Sequence, residues 1–225
     1  MNNQVKNIVK AHSGILSRLY YFLMNNKVHG KRGNQFHWHN VFLRGLRIRF
    51  YGKNNEVIIG DSKKVSSLRD LHIEIHGSNH KIRIEGGVSA GYLKIYCADN
   101  GCKVQVKENT SIAGNTELAA MEGTNIIIGG NCMFSANITL RAGDSHSVID
   151  AESGVRLNQS KDIIVGNHVW IGNSVIITKG SIIGDNSVVA TGSVVTGKKF
   201  PENVAIGGNP AKIIKENVNW LMQKI

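Results

Sequence analysis

The sequence predicts an all-β protein wound as a parallel β-helix, and repeats of six residues in the second half of the chain carry the prediction. Six residues fit one short strand and a turn, whereas an amphipathic helix has a period of 3.6 and sandwich strands recur every 8–12 residues. We therefore expect triangular coils of three strands, with aliphatic residues inward and small residues at the corners. The inward positions are Val165, Ile171, Ile177, Ile183, Val189 and Val195, and the corner positions are Val169, Val175, Ser181, Ser187 and Ser193.

The first half of the chain has a weaker repeat with a longer period. Polar turns followed by alternating aliphatic residues begin at 52, 77, 99, 122 and 143, and each block is interpreted as one coil. The predicted β-helix spans residues 51–208. Residues 209–225 are predicted to form a C-terminal α-helix that caps the last coil, since Ile213, Ile214, Val218 and Leu221 would share one face.

The N-terminal segment, residues 1–50, is strongly basic. The formal net charge of the protein is +11, and this segment holds nine Lys or Arg residues without any Asp or Glu. It is either a solvated basic face or a docking patch for an acidic saccharide, nucleic acid or a membrane surface. A short amphipathic helix is expected within it, for core packing or a subunit contact, from the apolar stripe Ile15, Leu16, Leu19, Phe22 and Leu23.

Composition narrows the class of protein. With 225 residues and 41% hydrophobic residues, the chain suits one elongated domain rather than a disordered one. No apolar stretch approaches the roughly 20 residues of a membrane-spanning helix, and no signal peptide is recognised. Cys97, Cys102 and Cys132 lack metal-site spacing, so we expect buried thiols, no metal and a cytoplasmic location.

The hexads resemble those of the left-handed β-helix acyltransferases. The most specific part is DSH at 144–146, VGNHVWIGNSVIITKGSIIGDNSVVATGSVVTG at 165–197 and GGNPAKIIKE at 207–216. It looks like the capsule and lipopolysaccharide O-acetyltransferases, in particular the bacterial polysialic acid O-acetyltransferases, which share a His-bearing loop followed by R-x-N. The resemblance implies a homotrimer with acetyl-CoA in the groove between adjacent β-helices, and an acidic polysaccharide acceptor rather than nucleic acid.

The six-residue repeat is interrupted at residues 141–162, which are predicted to form a loop that projects from the coils. Its His146 is the candidate general base, because a largely neutral histidine can accept a hydroxyl proton. The repeat register places His146 in the turn column of His80, Cys102 and Thr124. Either Asp144 or Asp150 is expected to orient its ring.

Trp170 is the second candidate catalytic residue. It precedes the inward Ile171, so its indole should face the intersubunit groove and could donate a hydrogen bond at the acetyl group. His168 is a competing base, but its corner position favours a hydrogen bond to a neighbouring chain. By resemblance, coenzyme contacts fall on Trp170, Gly172, Asn173, Ala190, Thr191, Lys198 or its neighbour Lys199, Pro210, Lys212 and Lys215.

The predicted reaction is direct acetyl transfer, because no cysteine or serine is placed as an activated nucleophile. Three alternatives stay open at this point. An amino-sugar N-acetyltransferase would use the same scaffold, a γ-type carbonic anhydrase would need three histidines on zinc, and a structural or ice-binding β-helix would need no site. No glycine-rich phosphate loop is present.

Overall fold

The computed structural model describes residues 13–225, in which the chain winds into a parallel β-helix of about eight coils. Each coil adds one strand to each of three sheets, which we name sheets A, B and C, and strands are numbered in chain order. The turns between them are the A–B, B–C and C–A corners. One helix, α1 (Ser13–Leu23), precedes the first coil.

Strands of neighbouring coils pair in parallel throughout, and the antiparallel pair of β24 with β25 is the exception among the described residues. Sheet A contains β1 (Lys27–His29), β4 (Arg47–Phe50), β7 (Leu71–Ile75), β10 (Leu93–Cys97), β13 (Thr116–Ala120), β16 (Ile138–Arg141), β19 (Ile176–Thr178) and β22 (Val194–Val195). Sheet B contains β2 (Gln35–His39), β5 (Glu56–Gly60), β8 (Lys81–Ile84), β11 (Lys103–Val106), β14 (Asn125–Ile128), β17 (Ile163–Val165), β20 (Ile182–Ile183) and β23 (Lys199–Phe200). Sheet C contains β3 (Val41–Arg44), β6 (Ser66–Arg69), β9 (Ser89–Ala90), β12 (Ser111–Ile112), β15 (Met133–Phe134), β18 (Trp170–Ile171), β21 (Val188–Val189), β24 (Val204–Gly208) and β25 (Ala211–Glu216).

The core is the aliphatic column that the hexads predict. All six inward residues from Val165 to Val195 are buried, and so are the five small corner residues. The corner serines bond the main chain of their own turns: Ser181 Oγ donates to the carbonyl of Thr178 at 2.7 Å, and Ser193 Oγ to that of Ala190 at 2.6 Å. A small hydroxyl therefore fills the corner and satisfies a buried carbonyl at the same time.

The β-helix begins earlier than predicted. The first coil starts with β1 at Lys27, so the boundary at residue 51 is wrong. Outward Arg44 in the first coil, and Arg47 and Arg49 on β4 of the second, alternate with inward side chains and conceal the apolar pattern, which the sequence presents only as a basic stretch. The buried side chains of the first coil include Phe36, Val41 and Leu43, and Leu46, Ile48 and Phe50 follow at the start of the second coil.

The predicted N-terminal helix is confirmed as α1. Tyr20 packs edge-on against Phe42 of β3, with ring centroids 5.4 Å apart. The apolar stripe points the other way, with Leu19 60% and Phe22 78% exposed, so it does not pack in the core. No helix within residues 13–225 is long and apolar enough to span a bilayer.

The predicted C-terminal helix is wrong. Residues 211–216 form β25, which runs antiparallel to β24 at the end of sheet C. The free edge of β24 offers unpaired main-chain groups, and a returning strand satisfies them where a helix would not. The chain then continues without regular structure and buries Trp220.

Candidate active site

The predicted loop leaves the β-helix at the A–B corner, between β16 and β17. It folds as a small hairpin, in which Ile149 and Arg156 form an antiparallel bridge and the amide of Leu157 donates to the carbonyl of Val148 at 2.8 Å. His146 is exposed on it. The register predicted for His146 is wrong: Ile126 pairs with Ile163, so the coil resumes only after the loop.

Asn158 holds the main chain of the loop at His146. Its Nδ2 donates to the carbonyl of His146 and to Oδ2 of Asp144, both at 2.8 Å. Its Oδ1 accepts from the amide of Val148 at 2.7 Å. The two ends of the loop are thereby tied to one amide side chain.

Lys179, from the coil that follows, completes this cluster. Its Nζ donates to Oδ2 of Asp144 and, at 2.8 Å, to the carbonyl of Asn158. The hydrogen bond from Lys179 holds the pKa of Asp144 below its ordinary value. The carboxylate of Asp144 is therefore charged at neutral pH and anchors the loop to the β-helix.

Arg156 anchors the other side of the loop. Its guanidinium donates to both carboxylate oxygens of Glu122, at 2.8 and 3.1 Å, and this hydrogen bonding lowers the pKa of Glu122. Arg156 and Asn158 are the R-x-N of the sequence. The structure gives this motif a positioning role that the sequence did not reveal.

Neither candidate carboxylate contacts the His146 ring. Asp144 bonds Lys179 and Asn158, while Asp150 accepts hydrogen bonds from Ser153 within its own turn. Within residues 13–225 the ring nitrogens of His146 have no hydrogen-bond partner. The loop fixes the backbone of His146 and leaves its imidazole accessible.

Trp170 faces outward from sheet C, as predicted, and is 38% exposed. It lies in register between Met133 and Val188. Within one chain it stands after the B–C corner, whereas the loop of His146 leaves the A–B corner. The fold of a single chain therefore places these two candidates at different corners.

Trp220 is a neighbour of this site that the sequence did not identify. Its indole stacks on His168, with ring centroids 4.3 Å apart, and its Nε1 donates to the carbonyl of His168 at 2.7 Å. Nε2 of His168 lies 3.1 Å from the carbonyl of Trp220. Nε2 of His168 is therefore engaged within its own chain, by the returning C-terminal segment. Trp220 also lies 6.2 Å from the Trp170 ring.

The candidate coenzyme residues fall into two places. Gly172, Asn173, Ala190 and Thr191 stack at the C–A corner, and a Cβ at Gly172 would lie 2.7 Å from the amide nitrogen of Thr191. Only glycine permits this close approach of two coils. Pro210, Lys212 and Lys215 follow on the β24–β25 hairpin of the adjoining sheet, and Lys198 lies apart at the A–B corner, exposed like Lys199.

The three cysteines are free and buried, as predicted. Burial raises the pKa of Cys132 to about 11 and also raises that of Cys97, so both stay neutral thiols. Within residues 13–225 no group of three or more His, Cys, Asp or Glu side chains is placed to hold a metal ion.

Three sheets of stacked six-residue coils place the chain in the hexapeptide-repeat class of parallel β-helices. The family model described as bacterial transferase hexapeptide (six repeats) matches residues 162–197. The polysialic acid O-acetyltransferase of Neisseria meningitidis is 38% identical over 170 residues, which are 75% of this chain and 76% of that protein. The chain belongs to the family of these O-acetyltransferases.

Further relatives agree. The polysialic acid O-acetyltransferase of Escherichia coli O1:K1 / APEC is 43% identical over 123 residues, 55% of this chain and 39% of that protein. The crystal structure of the polySia-specific acetyltransferase NeuO superposes with a TM-score of 0.79 at 33% identity, covering 89% of this chain and 88% of that one. That of the polysialic acid O-acetyltransferase OatWY gives 0.76 at 30% identity, covering 88% and 91%. The predicted left-handed β-helix and family are confirmed.

Proposed function

We propose that the protein transfers the acetyl group of acetyl-CoA to a hydroxyl of an acidic bacterial surface polysaccharide of the polysialic acid type. The observation that carries the proposal is the 38% identity to a polysialic acid O-acetyltransferase over 76% of that relative. Both sequence relatives are O-acetyltransferases, which favours a hydroxyl over an amine acceptor. The free cysteines support action in the cytoplasm.

His146 acts as the general base in this proposal. Its accessible imidazole takes the proton of the acceptor hydroxyl, while Asn158 and Asp144 hold the loop in place. Acetyl-CoA supplies an acetyl group as a thioester, and the proton held on His146 can return to the leaving sulfur. A positioned base of this kind typically contributes about 10²–10⁴-fold to the rate.

The site is completed by a second chain. Since His146 and Trp170 stand at different corners of one β-helix, they meet when the loop of one subunit faces sheet C of the next. We infer a homotrimer with three such sites, in which the Trp170 indole donates toward the acetyl carbonyl. Gly172, Asn173, Ala190 and Thr191 offer main-chain groups to the pantetheine arm, and Lys212 and Lys215 offer cations to the phosphates.

Thiol release from acetyl-CoA, followed colorimetrically with polysialic acid as acceptor, tests the function. His146→Ala should lower kcat at least about 100-fold, the lower range for a lost general base, and leave coenzyme affinity in titration calorimetry unchanged. His37→Ala, at an exposed histidine of β2, is the matched control and should keep wild-type kcat. Wild-type turnover in His146→Ala would remove this residue from the mechanism, and no thiol release by the wild type would reject the function.

A further inference from the structure

Sheet A carries two cations directly opposite each other in its first coils, since Lys27 pairs in register with Arg47. His29 lies opposite Arg49 in the same way. All four side chains lie on the outer face and are exposed. Like charges opposite each other on neighbouring strands destabilise a sheet, so this arrangement works against the fold.

Within the part of the chain that the structure describes, Lys27, Arg47 and Arg49 form no ion pair. Glu74 lies in register with Arg49, but its carboxylate bonds His76 at 2.9 Å.

A neighbouring histidine reports the same positive surroundings. Arg47 lies in register with His72 on the next strand. The pKa of His72 is lowered by burial first and by Arg47 next; Asp70 acts against them, and Arg49 and Lys94 add smaller lowering effects. The cations Arg47, Arg49 and Lys94 outnumber Glu74, the carboxylate beside them, so the net charge of this surface is positive and favours an anionic ligand.

The surface has a shape as well as a charge. A shallow groove of about 180 Å³ is lined by Arg47, Arg49, His72, Glu74, Tyr92 and Lys94, among others, and Lys94 pairs with Glu117 at 3.3 Å. Beside it, the ring of Tyr51 stacks on His76 at 4.4 Å. Cations next to exposed aromatic rings suit an acidic saccharide, which presents carboxylates and apolar ring faces.

One in-register column joins this groove to the catalytic loop. It runs along sheet A through Arg49, Glu74, Tyr96, Ala119 and Arg141. Four strand spacings separate its ends, which corresponds to roughly 19 Å. The Arg141 guanidinium then donates to Ser145 Oγ, next to His146, at 2.8 Å.

We propose that the outer face of sheet A from β1 to β10 is an extended acceptor-binding surface. Lys27, Arg47 and Arg49 hold the carboxylates of an acidic polysaccharide there, while a sugar several units along the same chain reaches the loop of His146. This inference rests on the proposed function for the identity of the polymer. It makes the enzyme prefer long acceptors over short ones, because only a long chain spans both places.

The test compares two double variants that remove the same charge from different sheets. Arg47→Gln with Arg49→Gln removes two of the three cations from the proposed binding surface. Lys81→Gln with Lys103→Gln is the matched control, since these lysines are also exposed and oppose each other in register, but on sheet B. The first variant removes a like-charge contact and should unfold at or above the wild-type temperature, which verifies its folding.

With long polysialic acid, the sheet A variant should raise KM about tenfold, the size expected from lost charge-assisted hydrogen bonds, and leave kcat unchanged. KM for a sialic acid dimer should not change, and the sheet B variant should behave as wild type. An unchanged KM for the polymer, or an equal rise of KM in both variants, would overturn the proposal that this surface binds the acceptor.

Direct binding separates this inference from the proposed function. If the wild type shows no transfer, polysialic acid binding measured by calorimetry still tests the surface, and it should weaken only in the sheet A variant. Equal binding of polysialic acid by both variants would reject the inference. Tighter binding of duplex DNA than of polysialic acid would reject an acidic saccharide as the ligand of this surface.

Discussion

At the residue scale, the position of the loop depends on carboxylates whose hydrogen-bond donors keep them charged. Asp144 accepts hydrogen bonds from Lys179 and Asn158, and Glu122 accepts two from Arg156. Each carboxylate thus forms an ion pair with a basic side chain from a different part of the chain. The backbone of His146 is positioned by these contacts, although none of them reaches its ring.

The lowered pKa of Asp144 gives the anchor a defined pH dependence. A carboxyl whose pKa is depressed in the folded protein contributes stability above its unfolded pKa, about 3.9 for Asp, and that contribution disappears as the pH falls through the folded value. The Asp144–Lys179 contact should therefore stabilise the protein at pH 6 and not in strong acid.

A double-mutant cycle of Asp144→Asn and Lys179→Gln measures this contact. Thermal unfolding followed by circular dichroism should show non-additive effects of the two substitutions at pH 6 and additive effects near pH 2. The single variants supply the controls. Additive effects at pH 6 would show that the contact does not stabilise the loop.

At the element scale, the parts of the fold that were predictable are those that local periodicity encodes. Inward residues such as Ile171 and Ile183 recur every six positions, so the sequence alone reveals the coils. The start of the β-helix was missed because outward basic residues on β1, β3 and β4 hide the alternation. The strand β25 was missed because its partner, the free edge of β24, exists only after the coils have stacked.

The candidate site likewise contains residues that a local pattern indicates and residues that only distant contacts bring to it. His146 was proposed because a residue able to act as a base stands where the repeat is interrupted, and Trp170 because its register points it outward; both remain predictions. Asn158 and Trp220 act through contacts with residues 12 and 52 positions away, which no local pattern encodes. Asp144 was chosen as an orienting carboxylate, but its contact with Lys179 depends on the coil above.

The C-terminal segment is an element whose hold on the site can be measured. Trp220 is buried, stacks on His168 and lies beside Trp170. Trp220→Ala should destabilise the protein by about 3 kcal/mol, as expected for a large buried aromatic, and leave the His168 carbonyl without its donor. Trp220→Phe keeps the stacking and should lose about 1 kcal/mol, the net contribution of one hydrogen bond. Equal losses in chemical denaturation would show that stacking contributes nothing.

At the scale of the whole molecule, the outer faces of sheets A and B change character along the β-helix. In the register of sheet A, Arg47, His72 and Lys94 in the first half lead to Ile176 and Val194 in the last coils. On sheet B, Ile164 pairs with Ile182. The last coils thus present aliphatic residues to solvent on two faces, which is typical of surfaces that another subunit covers.

A closed ring with heterologous contacts joins two different faces of each subunit, so sheet A of one chain, which leads into the loop, can lie against a different face of the next chain. Ile176 is 43% exposed on this face, and Ile176→Glu would place a charge in the contact. We expect the variant to be monomeric in light scattering and to lose transferase activity, because His146 and Trp170 of different chains no longer meet. Val65→Glu is the control, since Val65 is also an exposed aliphatic residue, at 38%, but precedes β6 in an early coil. It should remain trimeric and active. A monomeric Ile176→Glu variant with full activity would show that one chain holds the complete site.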